Sequence, residues 1–128
     1  MSNKILLADA DKKNLTVLGA LIEEMYGIHP SVYPGSENSF NEFLNGPGKG
    51  VVFIRIDSTL IQGIELTRQA GGRYPDIHVV WMAAYEGYAI DAFPQGVDAY
   101  LLLPATREKL DGVMEALSFK RRRYNDTG

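Results

Sequence analysis

Two short polar segments follow apolar runs and hold the side chains best suited to chemistry. Asp9 and Asp11 come directly after ILLA, while Arg55 and Asp57 lie at the end of VVFIRID. A carboxylate held away from water must find a positive partner or shift its pKa. Arg55 cannot be deprotonated at accessible pH, so it cannot act as a nucleophile. The Arg55 side chain has two alternative positions. It either extends into solvent from a strand end, or it takes the place of a divalent cation and pairs with Asp9, Asp11 or Asp57. Bidentate hydrogen bonding between an arginine and a carboxylate suits a shallow cleft, which favours the pairing.

Other catalytic and metal-binding patterns are missing from the sequence. The chain has no cysteine and only two histidines, His29 and His78, each in or beside an apolar run. Disulfides and thiolate metal sites are therefore excluded, and a histidine-rich metal site is not expected. The glycine-rich loop 45–50 lacks the Gly-Lys-Ser/Thr ending of a P-loop, and no Gly-x-Ser-x-Gly motif is present. We expect no enzyme, no metal site and no cofactor.

The charge distribution describes an acidic body with a basic end. Residues 1–119 hold nine basic and fifteen acidic side chains, and Lys120–Arg123 form a basic run. An acidic body offers no electrostatic footprint for nucleic acid. Residues 1–119 are expected to form one domain, and residues 120–128 a basic tail or the start of a linker.

The hydropathy pattern gives no sign of a membrane segment. No apolar stretch approaches the roughly 20 residues that cross a bilayer. The N-terminus MSNKILLADAD has one lysine, a very short apolar run and two aspartates, which is not the pattern of a signal peptide. We therefore expect a cytoplasmic protein.

Apolar runs alternate with amphipathic stretches along the chain. The runs predict five strands, at Lys4–Ala8, Ile28–Tyr33, Val51–Ile56, Ile77–Met82 and Ala99–Leu103. The stretches between them predict helices at Lys12–Tyr26, Ser36–Leu44, Gln62–Arg73 and Tyr85–Phe93, and a last helix from near Thr106. Asp11 is placed to cap the first helix and Gly27 to end it, whereas Pro30 favours an edge position for the second strand.

This alternation predicts a parallel sheet with helices on both faces. In such folds a site lies outside the carboxyl ends of the strands. Functional side chains are therefore expected at four places: Asp9–Asp11, Arg55–Ser58, Ala83–Tyr85 and Leu103–Pro104.

Four segments in this order resemble the receiver domain of two-component response regulators. They are ILLADAD, VVFIRIDSTLIQGIELTRQ, IHVVWMAA and GVDAYLLLPATREKL, within residues 4–118. The resemblance implies a CheY-like, flavodoxin-like α/β fold, a doubly wound parallel sheet of five β/α units with helices on both faces. It also implies transfer of a phosphoryl group to an aspartate at the end of the third strand, with Mg²⁺ held by two acidic residues after the first. A Ser or Thr after the fourth strand and a lysine after the fifth complete that site.

The chain departs from the family's site at the first and third strands. The family's acceptor lies eight residues before the glycine that opens the third helix, and counting back from Gly63 gives Arg55. Asp9 matches the first acidic position, but Ala10 stands at the second. Asp11, one residue later, is expected to point elsewhere.

The fourth and fifth strands lack the family's polar residues as well. Ala83 stands at the Ser/Thr position and Leu103 at the lysine position, although Pro104 matches the proline that follows the family's lysine. We therefore predict a pseudo-receiver that is not phosphorylated and works by protein–protein interaction. Two alternatives stay open: a phosphoreceiver with Asp57 as acceptor, and a sensor that binds a small ligand at the vacated acidic pocket.

Receivers that resemble this chain bind partners through the fourth helix, fifth strand and fifth helix. The corresponding surface here is predicted to include Tyr88, Asp91, Tyr100, Arg107 and Lys109. Tyr88, Arg107 and Lys109 are predicted to be exposed. The expected partner is a protein of a bacterial signalling pathway, with a homodimer as one form of assembly. Neither a membrane nor, for this domain, a nucleic acid is expected as a partner.

Overall fold

Five parallel strands form one sheet in a computed structural model that describes residues 3–34, 39–57, 61–71 and 74–118. The strands are β1 (Asn3–Ala8), β2 (Ser31–Tyr33), β3 (Lys49–Arg55), β4 (Ile77–Ala83) and β5 (Ala99–Leu102). Their order is β2-β1-β3-β4-β5, and every pairing is parallel. The predicted CheY-like, flavodoxin-like fold is confirmed.

Within the described residues, four α-helices lie between successive strands, and a fifth follows β5. They are α1 (Lys12–Tyr26), α2 (Ser39–Asn45), α3 (Ile61–Ala70), α4 (Ala89–Ala92) and α5 (Arg107–Ala116). Asp11 caps α1 by accepting hydrogen bonds from the Lys13 and Asn14 N–H groups, and Gly27 ends α1 at a φ of 70°, where a residue with a Cβ would be strained. Thr106 caps α5 through the N–H of Lys109. These local signals place the helix starts beside the strand ends.

Each strand buries side chains on both faces of the sheet, because successive strand residues point to opposite sides. On β1, Ile5 and Leu7 belong to the core that includes α1 and α5. Leu6 and Ala8 belong to the core that includes α2, α3 and α4. Trp81 of β4 is fully buried in this second core. A sheet covered on both faces leaves its strand ends as the place for polar side chains.

Several element bounds differ from the predictions. The strand β2 begins at Ser31 rather than Ile28 because Pro30 has no N–H to donate, and β2 lies at an edge as predicted. The helix predicted for residues 85–93 is divided into a 3₁₀ turn at Glu86–Tyr88, the short α4, and a second 3₁₀ turn at Phe93–Gln95. The second 3₁₀ turn ends at Gly96, which has a φ of 83°, a conformation that favours glycine.

The predicted basic tail, residues 120–128, lies outside the described residues. Within the part of the chain that the structure describes, no helix is long and apolar enough to cross a membrane.

Candidate functional site

Asp9 is a buried carboxylate at the carboxyl end of β1, with 6% of its surface exposed. Its Oδ1 accepts a hydrogen bond from the Asp11 N–H at 3.0 Å. Its Oδ2 accepts one from Asn14 Nδ2 at 2.7 Å and one from Arg55 Nη1 at 3.1 Å. Three donors from three positions of the chain therefore satisfy both carboxylate oxygens, as burial of a charged group requires.

Arg55 lies at the carboxyl end of β3 and faces two carboxylates. Its Nη1 is 3.1 Å from Asp9 Oδ2 and 3.5 Å from Asp11 Oδ2. Only 28% of the Arg55 side chain is exposed, against 3% for that of Asp9, so solvent weakens this pair less than it would a surface pair. The predicted pairing is present, and extension of Arg55 into solvent is not observed.

Asp11 has two roles, and one of them corrects the sequence-based expectation. Its Oδ1 caps α1 by accepting from the N–H groups of Lys13 at 3.0 Å and Asn14 at 3.4 Å. The expectation that Asp11 points away from the site is wrong for the other oxygen, which lies beside Arg55. The reason is geometric: an N-cap side chain needs only one oxygen for the helix, and the second remains free to face β3.

Asn14 was not predicted, but it joins Asp9, Asp11 and Arg55 in a group of four bonded polar side chains, called the Asp9–Arg55 cluster below. It occupies the first turn of α1, where side chains lean toward the helix N-terminus and so toward the strand ends. Its Nδ2 donates to Asp9 and also lies 3.7 Å from the sulfur of Met82. An asparagine in the first turn after two aspartates was the only available signal.

A cleft of about 420 Å³ opens beside the cluster. Asp9, Ala10, Asp11 and Arg55 line it together with the exposed Asp57. The other walls come from β2, the residue after it, and α3, and consist of Tyr33, Pro34, Gln62, Gly63 and Leu66. The structure thus brings all the acidic candidates to one place, with the arginine among them.

The ends of β4 and β5 place apolar side chains near Arg55. Ala83 and Leu103, at the ends of β4 and β5, are 1% and 7% exposed, and the Leu103 N–H donates to the Ala83 carbonyl at 2.7 Å. Leu103 and Pro104 line a smaller groove of about 210 Å³ with Arg55 and Asn14. Neither Ala83 nor Leu103 carries a hydroxyl or an ammonium group, so neither can bind a phosphoryl oxygen.

The residues present do not fit a Mg²⁺ site. Asp9 has both oxygens engaged, and the cation between Asp9 and Asp11 is the Arg55 guanidinium. A divalent cation at that point would meet a fixed positive charge at contact distance. Among the described residues, no group of three or more His, Asp or Glu side chains is placed to hold a metal ion.

The predicted interaction surface is only partly exposed. Tyr88 was expected to be exposed, but it is half-buried, because it packs on the core and meets the Tyr85 ring edge-on at 5.0 Å. Tyr100 is also half-buried and donates its hydroxyl hydrogen to the Tyr85 carbonyl. Burial raises the pKa of Tyr100, and Tyr88, Glu86 and Tyr85 raise it further. The two rings therefore tie the segment after β4 to the edge strand β5.

The charged residues of the predicted interaction surface are exposed, but two of them already have partners within the chain. Asp91, Arg107 and Lys109 are exposed. Arg107 is paired with Glu24 on α1, and the Lys109 ammonium donates to the Pro104 carbonyl at 3.3 Å. The basic side chains of α5 thus turn toward α1 and the strand end rather than toward Tyr88.

Comparison with solved structures identifies proteins that share this fold. No protein-family profile and no curated protein matches the chain. Among solved structures, it is similar to the N-terminal receiver domain of a response regulator from Bacteroides fragilis, with 18% identity and a TM-score of 0.73 over 91% of this chain and 97% of that one. It is similar to a two-component response regulator from Clostridium difficile, with 24% identity and a TM-score of 0.70 over the same shares.

A third similar structure was determined with Mg²⁺ and a beryllium fluoride. It is the response regulator TrrA from Thermotoga maritima, with 20% identity and a TM-score of 0.68 over 91% of this chain and 99% of that one. These likenesses establish the receiver fold for this chain.

Proposed function

We propose that the chain is a receiver-like domain of two-component signalling that is not phosphorylated and acts by binding a partner protein. One observation carries the proposal: Arg55 stands at the end of the central strand β3, where the resemblance places the acceptor aspartate, and its guanidinium is bonded to Asp9. A guanidinium cannot attack phosphorus, since it is protonated at every accessible pH.

The rest of the site supports the same conclusion. Phosphoryl transfer depends on positive charge around the transferring oxygens, supplied by a metal and a lysine in the family's reaction. Here both Asp9 oxygens already accept hydrogen bonds from the chain itself, and the β4 and β5 ends carry Ala83 and Leu103. We infer a non-catalytic protein that works in the cytoplasm with a protein partner.

The second candidate function is a phosphoreceiver that uses Asp57. The observation in its favour is that Asp57 is exposed and lines the same cleft as Asp9 and Arg55. Two observations stand against it. Asp57 lies two residues beyond the end of β3. Ala83 and Leu103 also stand where the family's hydroxyl and lysine would stabilise a phosphoryl group.

The test is intact-mass measurement of the full chain after incubation with acetyl phosphate and MgCl₂. We expect the unmodified mass, and the same unmodified mass for Asp57→Asn. A mass gain of one phosphoryl group that disappears in Asp57→Asn would establish the second candidate. A gain that persists in Asp57→Asn would place the phosphoryl group elsewhere and would also contradict the proposal.

A further inference from the structure

Three large apolar side chains are exposed in the segment 85–93, which follows β4. Ile90 is 81% exposed, Tyr85 61% and Phe93 60%. Single exposed apolar residues are normal on protein surfaces, whereas a contiguous group marks a binding site or an aggregation liability. The question is therefore whether these three form one surface.

The spacing of the segment joins them into one stripe. Positions 87, 90 and 93 are three apart in a run of 3₁₀ and α turns, where residues three apart lie on the same face. Gly87 has no side chain, and a Cβ placed there would meet the Tyr85 ring at 2.1 Å. The Tyr85 ring thus covers the place of a residue 87 side chain. The spacing therefore places Tyr85, Ile90 and Phe93 on one face of the segment, and this set of three exposed apolar side chains is called the α4 stripe below.

The rim of the α4 stripe is acidic. Glu86 and Asp91 are both exposed and flank Ile90 in the same turns. The sequence has no lysine or arginine between Arg73 and Arg107, so the segment itself supplies no positive charge. The basic side chains described on α3 and α5 already have partners within the chain: Arg68 pairs with Glu65 at 3.2 Å, Arg107 pairs with Glu24, and the Lys109 ammonium donates to the Pro104 carbonyl at 3.3 Å.

We propose that the α4 stripe binds a segment of a partner protein that combines apolar or aromatic anchors with lysine or arginine side chains. Apolar anchors would cover Tyr85, Ile90 and Phe93, and the cations would meet Glu86 and Asp91. A second copy of this chain is the poorer occupant, because a symmetric contact brings the two acidic rims together. The inference rests on the proposed function, which it deepens by stating the chemistry of the partner.

The test uses two synthetic amphipathic peptides and the full-length chain. One peptide carries leucine and phenylalanine on one face and lysine on the other, and its twin has glutamate in place of each lysine. Amide NMR locates the binding surface, and fluorescence anisotropy measures Kd. We expect the lysine peptide to shift residues 85–93 and to bind at least about tenfold more tightly than its twin.

Matched variants separate the α4 stripe from the rest of the surface. Ile90→Ser should weaken the lysine peptide about tenfold, while Val17→Ser, an exposed apolar residue on α1, should leave its Kd unchanged. Glu86→Lys with Asp91→Lys should reverse the preference between the two peptides. Glu108→Lys with Glu115→Lys, the same charge change on exposed positions of α5, should not reverse it.

Four results would overturn the inference. They are equal binding of both peptides, absence of shifts in residues 85–93, a self-association that Ile90→Ser abolishes, and binding that appears only after Lys120–Arg123 are changed to serine. The third result would make a second copy the occupant, and the fourth would make the chain's own basic run the occupant. None of them changes the mass measurement with acetyl phosphate, so failure here is distinguishable from failure of the proposed function.

Discussion

The side chains of the Asp9–Arg55 cluster are bonded to one another, whereas those of the α4 stripe are exposed to water. At the cluster, donors from the backbone, from Asn14 and from Arg55 bond both oxygens of a buried carboxylate. At the stripe, Ile90 and Phe93 are largely in water. An external ligand at the cluster would have to break contacts inside the chain, whereas a ligand at the stripe would only add contacts. We therefore assign the proposed binding to the stripe and a stabilising role to the cluster.

The two regions should therefore respond differently to mutation. Removing one partner of a buried ion pair leaves an uncompensated charge, which destabilises far more than loss of a surface contact. Trp81 is the single tryptophan and is fully buried, so its fluorescence reports global unfolding for every variant below.

The largest expected effect is that of Arg55→Ala. We expect the free energy of unfolding to fall by about 2 kcal/mol, less than for a fully buried pair because part of the Arg55 side chain is exposed. Urea titration followed by Trp81 fluorescence measures it. The control is Arg68→Ala, which removes an exposed pair with Glu65 and should cost no more than about 0.5 kcal/mol. Equal effects of the two substitutions would mean that the cluster is no more important than a surface pair.

Asn14→Ala should have the next largest effect. It removes one donor to Asp9 and should lower the free energy of unfolding by about 1 kcal/mol. Because Asn14 and Arg55 donate to the same oxygen, the double variant should be non-additive in a double-mutant cycle. Asn41→Ala, at an exposed position of α2, is the control. Additive effects of the two cluster variants would argue against one shared network.

Tyr100 links the α4 stripe to β5 and should show a pH effect. Burial, aided by Tyr88, Glu86 and Tyr85, raises the pKa of Tyr100 above 10.0. The stabilisation from the neutral hydroxyl is therefore fully present below the ordinary pKa and is lost as the pH rises through the higher folded value. Stability of the wild type should fall more steeply above pH 10.0 than that of Tyr100→Phe. Parallel urea midpoints across that range would show that the hydroxyl contributes nothing.

The smallest expected effect is that of Ile90→Val, and the same substitution at a core position is its reference. Ile54→Val, at a position 1% exposed on β3, should lower the free energy of unfolding by about 1 kcal/mol. Ile90→Val, at the most exposed position of the α4 stripe, should change it by less than about 0.3 kcal/mol. A comparable loss at Ile90 would mean that the stripe packs within the fold and is not a free surface.

The fold was predictable because its signals are local. The helix α1 has the predicted bounds, since Asp11 supplies a cap and Gly27 a left-handed stop. The strands were visible as apolar runs because both faces of the sheet are covered. The segment 85–93 was predicted as one helix and is three short turns, because a poor apolar pattern and Pro94 do not support a longer helix.

The site was predictable only where one residue decides the chemistry. Arg55 and the absent hydroxyl and ammonium groups could be read directly from the sequence. The bond from Asn14 to Asp9 depends on where α1 meets β1 in space, and the half-burial of Tyr88 depends on the packing of the Tyr85 ring. Contacts between distant elements are not encoded in any local pattern.

The most direct test of the central claim is a titration of the full-length chain with MgCl₂, followed by amide NMR. If the Arg55 guanidinium already occupies the position between Asp9 and Asp11, millimolar Mg²⁺ should cause no saturable shift at residues 9–14 or at Arg55. A saturable shift at those amides that disappears in Asp9→Asn would show that the carboxylates hold a metal ion in spite of Arg55, and would contradict the claim.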